Sequence, residues 1–381
     1  MTDSRYIPRA LDVAALSRRK SLFLFGPRQT GKTALIRHAL PSAKVYDLLD
    51  GDVFRTLSHR PARLGEELES GDRLVVVDEI QKLPELLDEV HRLIEQRRIH
   101  FVLTGSSARK LRRGGVNLLG GRAPARTLHP FIYRELGEEF VLERALDRGL
   151  LPSIYFSTDP KADLGAYLGT YLREEVAAEA LTRNVPAFSR FLEVAALCHG
   201  TMLNFSQIAS DAQTPISTVR EYFHILEDTL VARLVPAWTR TRTRKAIGTA
   251  KYFFDCGVVR RLQHRAGLAR RSPEFGEAFE SYIFHELSTY VDYTDAGPLA
   301  YWRSTSNFEV DFVLAGTTAI EVKSKDPVGE RDLRGIRALK EEALLKNYIV
   351  VSLEPRPRTI ERIRIFPWKD FLERLWDGAF V

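Results

Sequence analysis

One stretch near the N-terminus constrains the fold more than any other part of this chain. It reads Phe23-Leu24-Phe25-Gly26-Pro27-Arg28-Gln29-Thr30-Gly31-Lys32-Thr33, and an apolar run with helical character follows over residues 34–40. The spacing G-x-x-x-x-G-K-[ST] between a strand and a helix is typical of a phosphate-binding loop, because glycines let backbone N–H groups close around phosphate oxygens and the helix N-terminus adds partial positive charge. Lys32 is expected to neutralise the β- and γ-phosphates, and the Thr33 hydroxyl to ligate Mg²⁺. We therefore predict a nucleoside triphosphate site built from Gly26, Pro27, Arg28, Gln29, Thr30, Gly31, Lys32 and Thr33.

Length and composition limit the class of protein. At 381 residues, the chain exceeds one compact core of ordinary size, so two or three domains are expected. No apolar run approaches the ~18 residues of a membrane span, and the N-terminus lacks the apolar core of a secretory signal, so we expect a cytoplasmic protein outside the membrane. The only cysteines, Cys198 and Cys256, exclude a disulfide framework and a cysteine-based zinc site.

Two more apolar runs, residues 43–49 and 73–79, are predicted to be strands of the same parallel sheet. The second is apolar almost throughout, as in a strand buried on both faces, and it ends in Asp78 and Glu79. On its own this acidic pair would indicate only an exposed strand end, but acids at the carboxyl end of such a strand lie where α/β sheets bind ligands. Together with the phosphate loop, the pair predicts that Asp78 holds Mg²⁺ through water opposite Thr33. Glu79 is then expected to orient or deprotonate the attacking water.

A fourth strand is predicted over residues 99–107, after an amphipathic helix at 83–97. In one interpretation Thr104 or Ser106, near its end, contacts the γ-phosphate as a sensor; in the other, these hydroxyls cap a helix that starts near Ala108. An arginine beyond that helix is expected to complete the site of a neighbouring subunit, where its charge would stabilise the transition state. The arginines considered, for which a plain surface role is the alternative, are Arg122, the preferred one, and its rivals Arg126 and Arg134.

The order of these parts, with the sensor strand after the Asp78 strand, resembles AAA+ ATPases. The segments GPRQTGKT, LVVVDEIQKLPEL and LTGSSARKL look like one prokaryotic branch of them. Members of that branch typically join the ATPase to a winged-helix segment and a restriction-endonuclease-like domain, so the resemblance extends to the C-terminus. It implies ATP as the nucleotide and a homo-oligomer, such as a hexameric ring, as the working form. The expected fold is α/β, with an AAA+-type P-loop domain built on a parallel sheet at 1–150, an α-helical winged-helix segment at 151–268, and an α/β restriction-endonuclease-like domain at 269–381.

The middle segment contains a predicted helix-turn-helix. If its second helix enters the major groove of DNA, Thr218, Arg220 and Glu221 near the helix start face bases or phosphates. The turn carries Gln213 where a glycine is common, and a three-helix fold that only packs against the ATPase would show the same pattern. DNA contact and internal packing therefore both remain open. The predicted elements are helices at 161–183, 187–198, 206–212 and 217–226, a turn at 213–215, and Ser217 as the N-cap of the last helix.

Basic residues cluster after this helix-turn-helix. From Arg233 to Arg271 there are eleven Lys or Arg residues against one acid, Asp255, which favours a polyanionic partner. Residues 230–238 and 251–254 are predicted to be the two strands of a wing. Alternating arginines on an exposed connection suit phosphate contacts, so DNA is the expected partner, with solvated surface charge as the alternative. The residues of the connection expected to contact DNA are Arg240, Arg242, Arg244 and Lys245.

The last third predicts a strip of carboxylates and a lysine. A helix over residues 274–290 carries Glu280, and strands at 308–314 and 318–323 are joined around Gly316. If this hairpin is symmetric about Gly316, Asp311 lies opposite Glu321. Period-2 alternation then places Val310, Phe312, Leu314, Ile320 and Val322 on one face, and Glu309, Asp311, Glu321 and Lys323 on the other.

This strip suits metal-dependent cleavage of phosphodiesters. Asp311 and Glu321 would hold Mg²⁺, and Lys323 would steady the nucleophile or the transition-state phosphate. The spacing D-(x)9-E-x-K after a helix bearing Glu280 resembles the PD-(D/E)XK nuclease core, although Val310 replaces the usual proline. The alternative is a cross-strand salt-bridge ladder. We thus expect an ATP-hydrolysing protein that acts on branched or otherwise unusual DNA, with a C-terminal nuclease whose catalytic residues are Glu280, Asp311, Glu321 and Lys323. The rival hypothesis is an ATP-switched DNA-binding or regulatory protein whose last domain does not cleave.

Overall fold

The computed structural model describes residues 6–107, 111, 122–171, 184–265 and 267–381, without the side chains of 170 and 171. These residues form two compact units. The first comprises residues 1–131, 151–153 and 228–231, and the second comprises 132–150, 154–227 and 232–381. The predicted helix start at Ala108, and most of the second half of the predicted helix at 161–183, lie outside the described residues.

The first unit is built on a parallel five-stranded sheet with the strand order β2-β3-β4-β1-β5. Its inner strands β1, β3 and β4 are apolar and almost wholly buried, which is why they read as continuous rather than alternating apolar runs. The predicted strand pattern is confirmed, and the carboxyl ends of β1, β3 and β4 meet at one edge. The elements are α1 (Val13–Arg19), β1 (Leu22–Phe25), α2 (Lys32–Ala39), β2 (Lys44–Asp47), α3 (Gly51–His59), α4 (Arg63–Glu66), β3 (Leu74–Asp78), α5 (Leu86–Arg97), β4 (His100–Gly105) and β5 (Ala125–Thr127).

The second unit begins with helices and a two-stranded antiparallel sheet. Gln213, in the turn of the helix-turn-helix, has a left-handed backbone conformation with φ of 50°. This is the conformation that makes glycine common at this position of such turns. The helix after the turn begins at Ile216, and the prediction of Ser217 as its N-cap is wrong because Ser217 lies within the first turn. The elements are α6 (Tyr133–Leu136), α7 (Leu142–Arg148), α8 (Pro152–Tyr155), α9 (Pro160–Ala166), α10 (Val185–Leu197), α11 (Phe205–Asp211), α12 (Ile216–Asp228), β6 (Ala232–Val235), β7 (Lys251–Phe254) and α13 (Cys256–Leu262).

The rest of the second unit is a mixed six-stranded sheet with helices, in the order β12-β13-β11-β10-β9-β8. Strands β8, β9 and β10 are antiparallel neighbours, whereas β10, β11 and β13 run parallel. The elements are α14 (Pro273–Thr294), β8 (Leu299–Arg303), β9 (Glu309–Leu314), β10 (Thr318–Lys323), α15 (Arg334–Lys340), β11 (Asn347–Ser352), β12 (Arg358–Ile360), β13 (Ile363–Pro367) and α16 (Trp368–Trp376).

The β9–β10 hairpin has the predicted register, but β9 does not alternate as predicted. Its pairs, such as Thr318 with Leu314, are symmetric about Gly316. The register between β8 and β9 shifts next to Asp311, which is a β-bulge. Val310 therefore packs in one apolar cluster with Val313, whereas strict alternation would have placed it on the same face as Phe312.

Residues 132–150, which the sequence assigned to the ATPase domain, pack within the second unit. The Tyr133 amide donates to Glu286 at 2.7 Å. Gly257 approaches the backbone of Arg148 so closely that a Cβ there would lie 1.9 Å from the Arg148 oxygen. Residues 132–150 thus group with the second unit, whereas residues 151–153 belong to the first. In the described ranges, no helix combines the length and apolar character needed to cross a membrane.

Candidate nucleotide site and carboxylate cluster

The phosphate loop is folded around its own lysine. Lys32 is only 7% exposed, and its Nζ donates to the carbonyl oxygens of Gly26 at 2.7 Å and Pro27 at 3.1 Å. The Thr30 hydroxyl donates to the same Pro27 oxygen at 2.8 Å, and the Arg9 guanidinium donates to the Thr30 oxygen at 2.7 Å. Arg9 is a supporting residue that the sequence analysis missed. The loop therefore holds its ammonium group among backbone carbonyls at the start of α2.

Arg28 and Gln29 are exposed residues of the loop. Gln29 has a positive φ of 63°, and its side-chain oxygen accepts a hydrogen bond from the Ser153 hydroxyl at 2.6 Å. Gly31 precedes α2 with φ of 89°, a conformation that suits glycine. These dihedrals turn the chain from β1 into α2 within six residues, as the sequence spacing predicts.

Asp78 lies next to Thr33, as predicted. The Thr33 hydroxyl donates to Asp78 Oδ2 at 3.0 Å, which joins the start of α2 to the end of β3. The Thr104 hydroxyl donates to Asp78 Oδ1 and accepts from the Glu79 amide at 3.2 Å. Thr104 thus contacts the acidic pair directly, which neither the γ-phosphate sensor nor the helix-cap interpretation anticipated.

Glu79 is held by a side chain that the sequence analysis missed. Gln81 Nε2 donates to Glu79 Oε2 and also to the Ser106 hydroxyl at 3.2 Å, so it links Glu79 to the end of β4. Burial raises the pKa of Glu79, and the nearby Lys32 ammonium opposes this rise. A carboxylate with a raised pKa suits a general base. The sequence shows that Gln81 lies two residues after Glu79. It does not show the short 3-10 helix that brings the Gln81 side chain back to Glu79.

The arrangement at Thr33 and Asp78 fits a magnesium ion. A hydroxyl and a carboxylate oxygen 3.0 Å apart are hard oxygen donors of the kind that Mg²⁺ prefers, and Mg²⁺ commonly uses one or two protein ligands together with substrate phosphates and water. The Arg122 guanidinium pairs with Glu95, and both side chains are about half exposed. Arg134 pairs with Asp377 at 2.5 Å in the second unit. Exposed pairs of this kind are weak and exchangeable.

The carboxylate strip of the second unit forms a buried cluster. Asp311 and Glu321 are buried, Glu321 pairs with Lys323 at 2.5 Å, and Asp311 Oδ2 accepts from the Val322 amide at 2.7 Å. Burial, with the charge of Asp311 second, raises the pKa of both Glu280 and Glu321. The predicted residues Glu280, Asp311, Glu321 and Lys323 are thus close enough to interact electrostatically.

Glu309 belongs to a second ion pair beside this cluster. It contacts Arg303 at 3.0 Å and Lys251, whose side chain lies on β7. Lys251 is only 4% exposed. Burial alone lowers the pKa of Lys251, but Glu280, Glu309 and Asp311 outweigh it and raise that pKa. Glu309 thus pairs with two cations. Lys251 is a buried cation that the sequence analysis did not single out.

Two carboxylate oxygens of the cluster lack hydrogen-bond partners. Glu280 Oε1 and Glu321 Oε2 are buried and accept no hydrogen bond from a described residue. Within the described ranges, no group of three or more His, Cys, Asp or Glu side chains is arranged to hold a metal ion by itself. Mg²⁺ needs only one or two carboxylates beside phosphate and water oxygens. The two unsatisfied oxygens, which belong to Glu280 and Glu321, are hard donors of the kind that such a cation takes as ligands.

The predicted DNA-contacting residues divide into two groups. Arg244 is engaged internally, since its guanidinium pairs with Glu341 and donates to the Ala338 oxygen at 3.0 Å. The buried Glu342 carboxylate accepts from three successive amides of the same connection, those of Arg242, Thr243 and Arg244, at 2.7 to 2.9 Å. Arg244 is therefore engaged within the second unit, and its contact with DNA stays a prediction. Those that face solvent are Arg220, which stacks on the Phe205 ring at 4.3 Å, Arg240, Arg242 and Lys245, while Thr218 is half-buried.

The cluster of basic residues in the sequence does not remain one basic surface in the fold. Six of its eleven cations form ion pairs within the second unit, because the folded chain brings acids from distant segments beside them. The pairs are Arg233–Asp292, Arg244–Glu341, Lys251–Glu309, Arg260–Asp147, Arg265–Glu277 and Arg270–Glu143.

Three family models match consecutive segments of the chain. Residues 18–137 match an AAA domain, residues 139–270 match a domain of unknown function (DUF8612), and residues 275–371 match a domain of unknown function (DUF4143). The first segment contains the phosphate loop and Asp78, so the match supports an AAA+-like, ATP-binding ATPase domain in the first unit. The other two models describe no activity.

Two mycobacterial proteins are similar to most of the chain. They are the uncharacterized proteins Rv2008c of Mycobacterium tuberculosis and Mb2031c of Mycobacterium bovis. Each is 27% identical over 310 residues, which cover 79% of this chain and 68% of the relative.

Similarity to solved structures is weak. The ORC1 protein of Aeropyrum pernix in complex with DNA aligns with 66% of this chain and 90% of its own, at 17% identity and a TM-score of 0.26. The ORC2 protein of the same organism, in its ADP form, aligns with 61% of this chain and 90% of its own, at 14% identity and a TM-score of 0.30. Scores this low transfer no architecture or function.

Proposed function

We propose that the first unit hydrolyses ATP with Mg²⁺ and that the protein uses this reaction to act on DNA. The observation that carries the ATPase proposal is the 3.0 Å contact of the Thr33 hydroxyl with Asp78 at the mouth of a loop that encloses Lys32. Hydroxyl, carboxylate and ammonium groups in this arrangement are the parts that phosphoryl transfer requires. The AAA domain match over residues 18–137 supports the same conclusion.

Each side chain has a defined role in this proposal. Lys32 exchanges its contacts with the loop carbonyls for the β- and γ-phosphates. Thr33 and Asp78 would hold Mg²⁺, which would supply positive charge against the phosphates. Glu79, with its raised pKa, accepts a proton from the attacking water. Thr104 fixes Asp78, and Gln81 fixes Glu79.

Steady-state ATP turnover tests this proposal. Lys32→Ala and Asp78→Asn should each lower turnover by at least about a hundredfold, because they remove charge stabilisation in the transition state. Lys20→Ala, at an exposed lysine of the same unit, is the matched control and should retain wild-type turnover. ATP hydrolysis that survives Lys32→Ala would refute the assignment.

We also propose that the working form is a homo-oligomer in which Arg122 acts on a neighbour's ATP. Its ion pair with Glu95 involves two half-exposed side chains, so a partner phosphate can replace it at small cost. A mixture of Arg122→Ala and Asp78→Asn proteins should regain turnover that neither has alone. If no mixture regains activity although both variants assemble, Arg126 becomes the next residue to test.

A second candidate function is Mg²⁺-dependent cleavage of DNA by the carboxylate cluster. It is favoured by the two buried carboxylate oxygens without partners, Glu280 Oε1 and Glu321 Oε2, beside the Lys323 ammonium. When bound, Mg²⁺ would lower the pKa of water at the cluster. Asp311 and Glu321 would hold it, Lys323 would contact the phosphate, and Glu280 would accept a proton. The helix–three-strand–helix–strand order from α14 to β11 supports the resemblance to PD-(D/E)XK nucleases.

Purified protein with Mg²⁺ or Mn²⁺ should cleave at least one member of a panel of duplex, flap and four-way DNA. Asp311→Asn should abolish cleavage, whereas Asp292→Asn, at an acid of α14 paired with Arg233, should not. Cleavage that is unchanged in Asp311→Asn would point to a contaminant. Absence of cleavage by the wild-type protein would favour the rival, an ATP-switched DNA-binding or regulatory protein with a non-cleaving last domain.

A further inference from the structure

A groove of about 690 Å³ lies beside the carboxylate cluster in the second unit. One wall is the beginning of α14 and the residues before it, and the other is the segment that follows β10. Its volume falls within the range of sites that take ligands of nucleotide size. The residues that give it its character are Arg270, Arg271, Gly276, Ser324, Lys325 and Asp326.

The lining charge of the groove is positive. Arg270, Arg271 and Lys325 oppose one acid, Asp326. Arg271 is exposed. Arg270 reaches Glu143 only at 3.6 Å, with both side chains more than half exposed, so this pair is weak. Lys325 pairs with Asp332 at 2.6 Å. At least two arginines are therefore available to an anionic ligand.

The groove continues directly from the carboxylate cluster. Ser324 follows Lys323 in the chain, and Gly276 lies one helical turn before Glu280, on the same face of α14. Backbone hydrogen bonds hold this wall, since the Lys325 amide donates to the Lys323 oxygen at 2.8 Å and the Leu353 amide to the Lys325 oxygen at 3.1 Å. The groove thus offers a path for the further phosphates of a ligand whose first phosphate contacts Lys323.

We propose that this groove binds the sugar–phosphate backbone of a nucleic acid strand, next to the phosphodiester that faces Asp311, Glu321 and Lys323. The inference rests on the proposed nuclease function, which it deepens by assigning the strand's path. Arginine is suited to phosphate oxygens because its planar guanidinium donates several hydrogen bonds. A strand offers several phosphates in a row, whereas a free phosphate would use only one of the cationic positions.

Binding is best measured with full-length protein in EDTA, so that no cleavage occurs. The probes are a fluorescein-labelled single strand of roughly 20 nucleotides and the duplex formed from it. Their binding is measured by fluorescence anisotropy at salt concentrations between about 50 and 200 mM. The double variant Arg270→Ser/Arg271→Ser should bind at least about tenfold more weakly, and its plot of log affinity against log salt should be shallower by about two. The control Lys346→Ser/Arg362→Ser removes two exposed cations that precede β11 and β13, at the opposite end of the sheet, and should leave both quantities unchanged.

Each outcome decides one assignment. Unchanged affinity and salt dependence in Arg270→Ser/Arg271→Ser would overturn the groove proposal, whether or not the protein cleaves DNA. Inorganic phosphate that competes as well as the oligonucleotide, at equal phosphate concentration, would overturn it in favour of a single-anion site. Groove-dependent binding by a wild-type protein that never cleaves would support the groove and refute only the nuclease. Circular dichroism of each variant checks that it is folded.

Discussion

Glu286 should make the stability of the second unit depend on pH near neutrality. Its side chain is wholly buried. One carboxylate oxygen accepts from the Tyr133 amide at 2.7 Å and the Tyr282 hydroxyl at 3.0 Å, and the other accepts from Trp376 Nε1 at 3.0 Å. These donors favour the ionised form, but burial outweighs them and raises the pKa of Glu286 from 4.5 to about 7.

The sign and size of the effect follow from this pKa. The folded state binds the proton more tightly than the unfolded state, so the stability due to Glu286 is fully present below pH 4.5 and is lost as the pH rises through 7. The complete loss is about 3 kcal/mol, of which roughly 2.5 kcal/mol falls between pH 5 and pH 8. Glu286→Gln cannot titrate, although it gives up the acceptor for Trp376 at a cost of about 1 kcal/mol at every pH.

Urea unfolding at several pH values tests this reasoning. All four tryptophans, at positions 238, 302, 368 and 376, belong to the second unit, so tryptophan fluorescence reports on that unit. Relative to wild type, Glu286→Gln should gain roughly 2.5 kcal/mol between pH 5 and pH 8. Glu277→Gln, at an exposed position of the same helix, should show little change. A difference between Glu286→Gln and wild type that stays constant with pH would show that Glu286 is already ionised at pH 5.

Three further substitutions test other contacts. Gln81→Ala should lower the kcat of ATP hydrolysis about tenfold with little change in KM, because Glu79 loses its positioning bond; an unchanged kcat would refute that role. Gly26→Ala would place a Cβ 2.5 Å from the Leu128 oxygen, so the phosphate loop would have to shift. Nucleotide affinity measured by equilibrium titration should therefore fall at least about tenfold, and an affinity equal to that of the wild type would contradict this close approach. Glu342→Gln leaves the amides of Arg242, Thr243 and Arg244 without a charged acceptor and should cost about 2 kcal/mol of unfolding free energy in the urea assay. An unchanged free energy of unfolding would contradict this role of Glu342.

The sequence was sufficient for features that depend on local pattern. The phosphate loop, the buried strands and the acids at the end of β3 could be predicted because glycine spacing and continuous apolar runs have few structural solutions. The register of β9 and β10 was also predictable, since a hairpin centred on Gly316 fixes which residues face each other.

Features that depend on distant segments could not be predicted. Glu286 and Tyr133 are separated by 153 positions, and Lys251 meets Glu309 across 58, so no local periodicity reports their contact. The β-bulge beside Asp311 changes the direction of Val310 without any sequence signal such as a glycine. The hydrogen bonds that the amides of the basic connection donate to Glu342 could not be predicted either, because Glu342 lies about a hundred residues away.

The packing of residues 132–150 decides how this protein can be divided for experiment. A fragment that starts at 151 would leave Glu286 without the Tyr133 amide, and it would uncover Gly257, which the backbone of Arg148 approaches too closely for a Cβ to fit. A fragment that starts at 132 keeps both. The carboxylate cluster should therefore be isolated in folded form only with a stretch of chain that the sequence would have assigned to the ATPase.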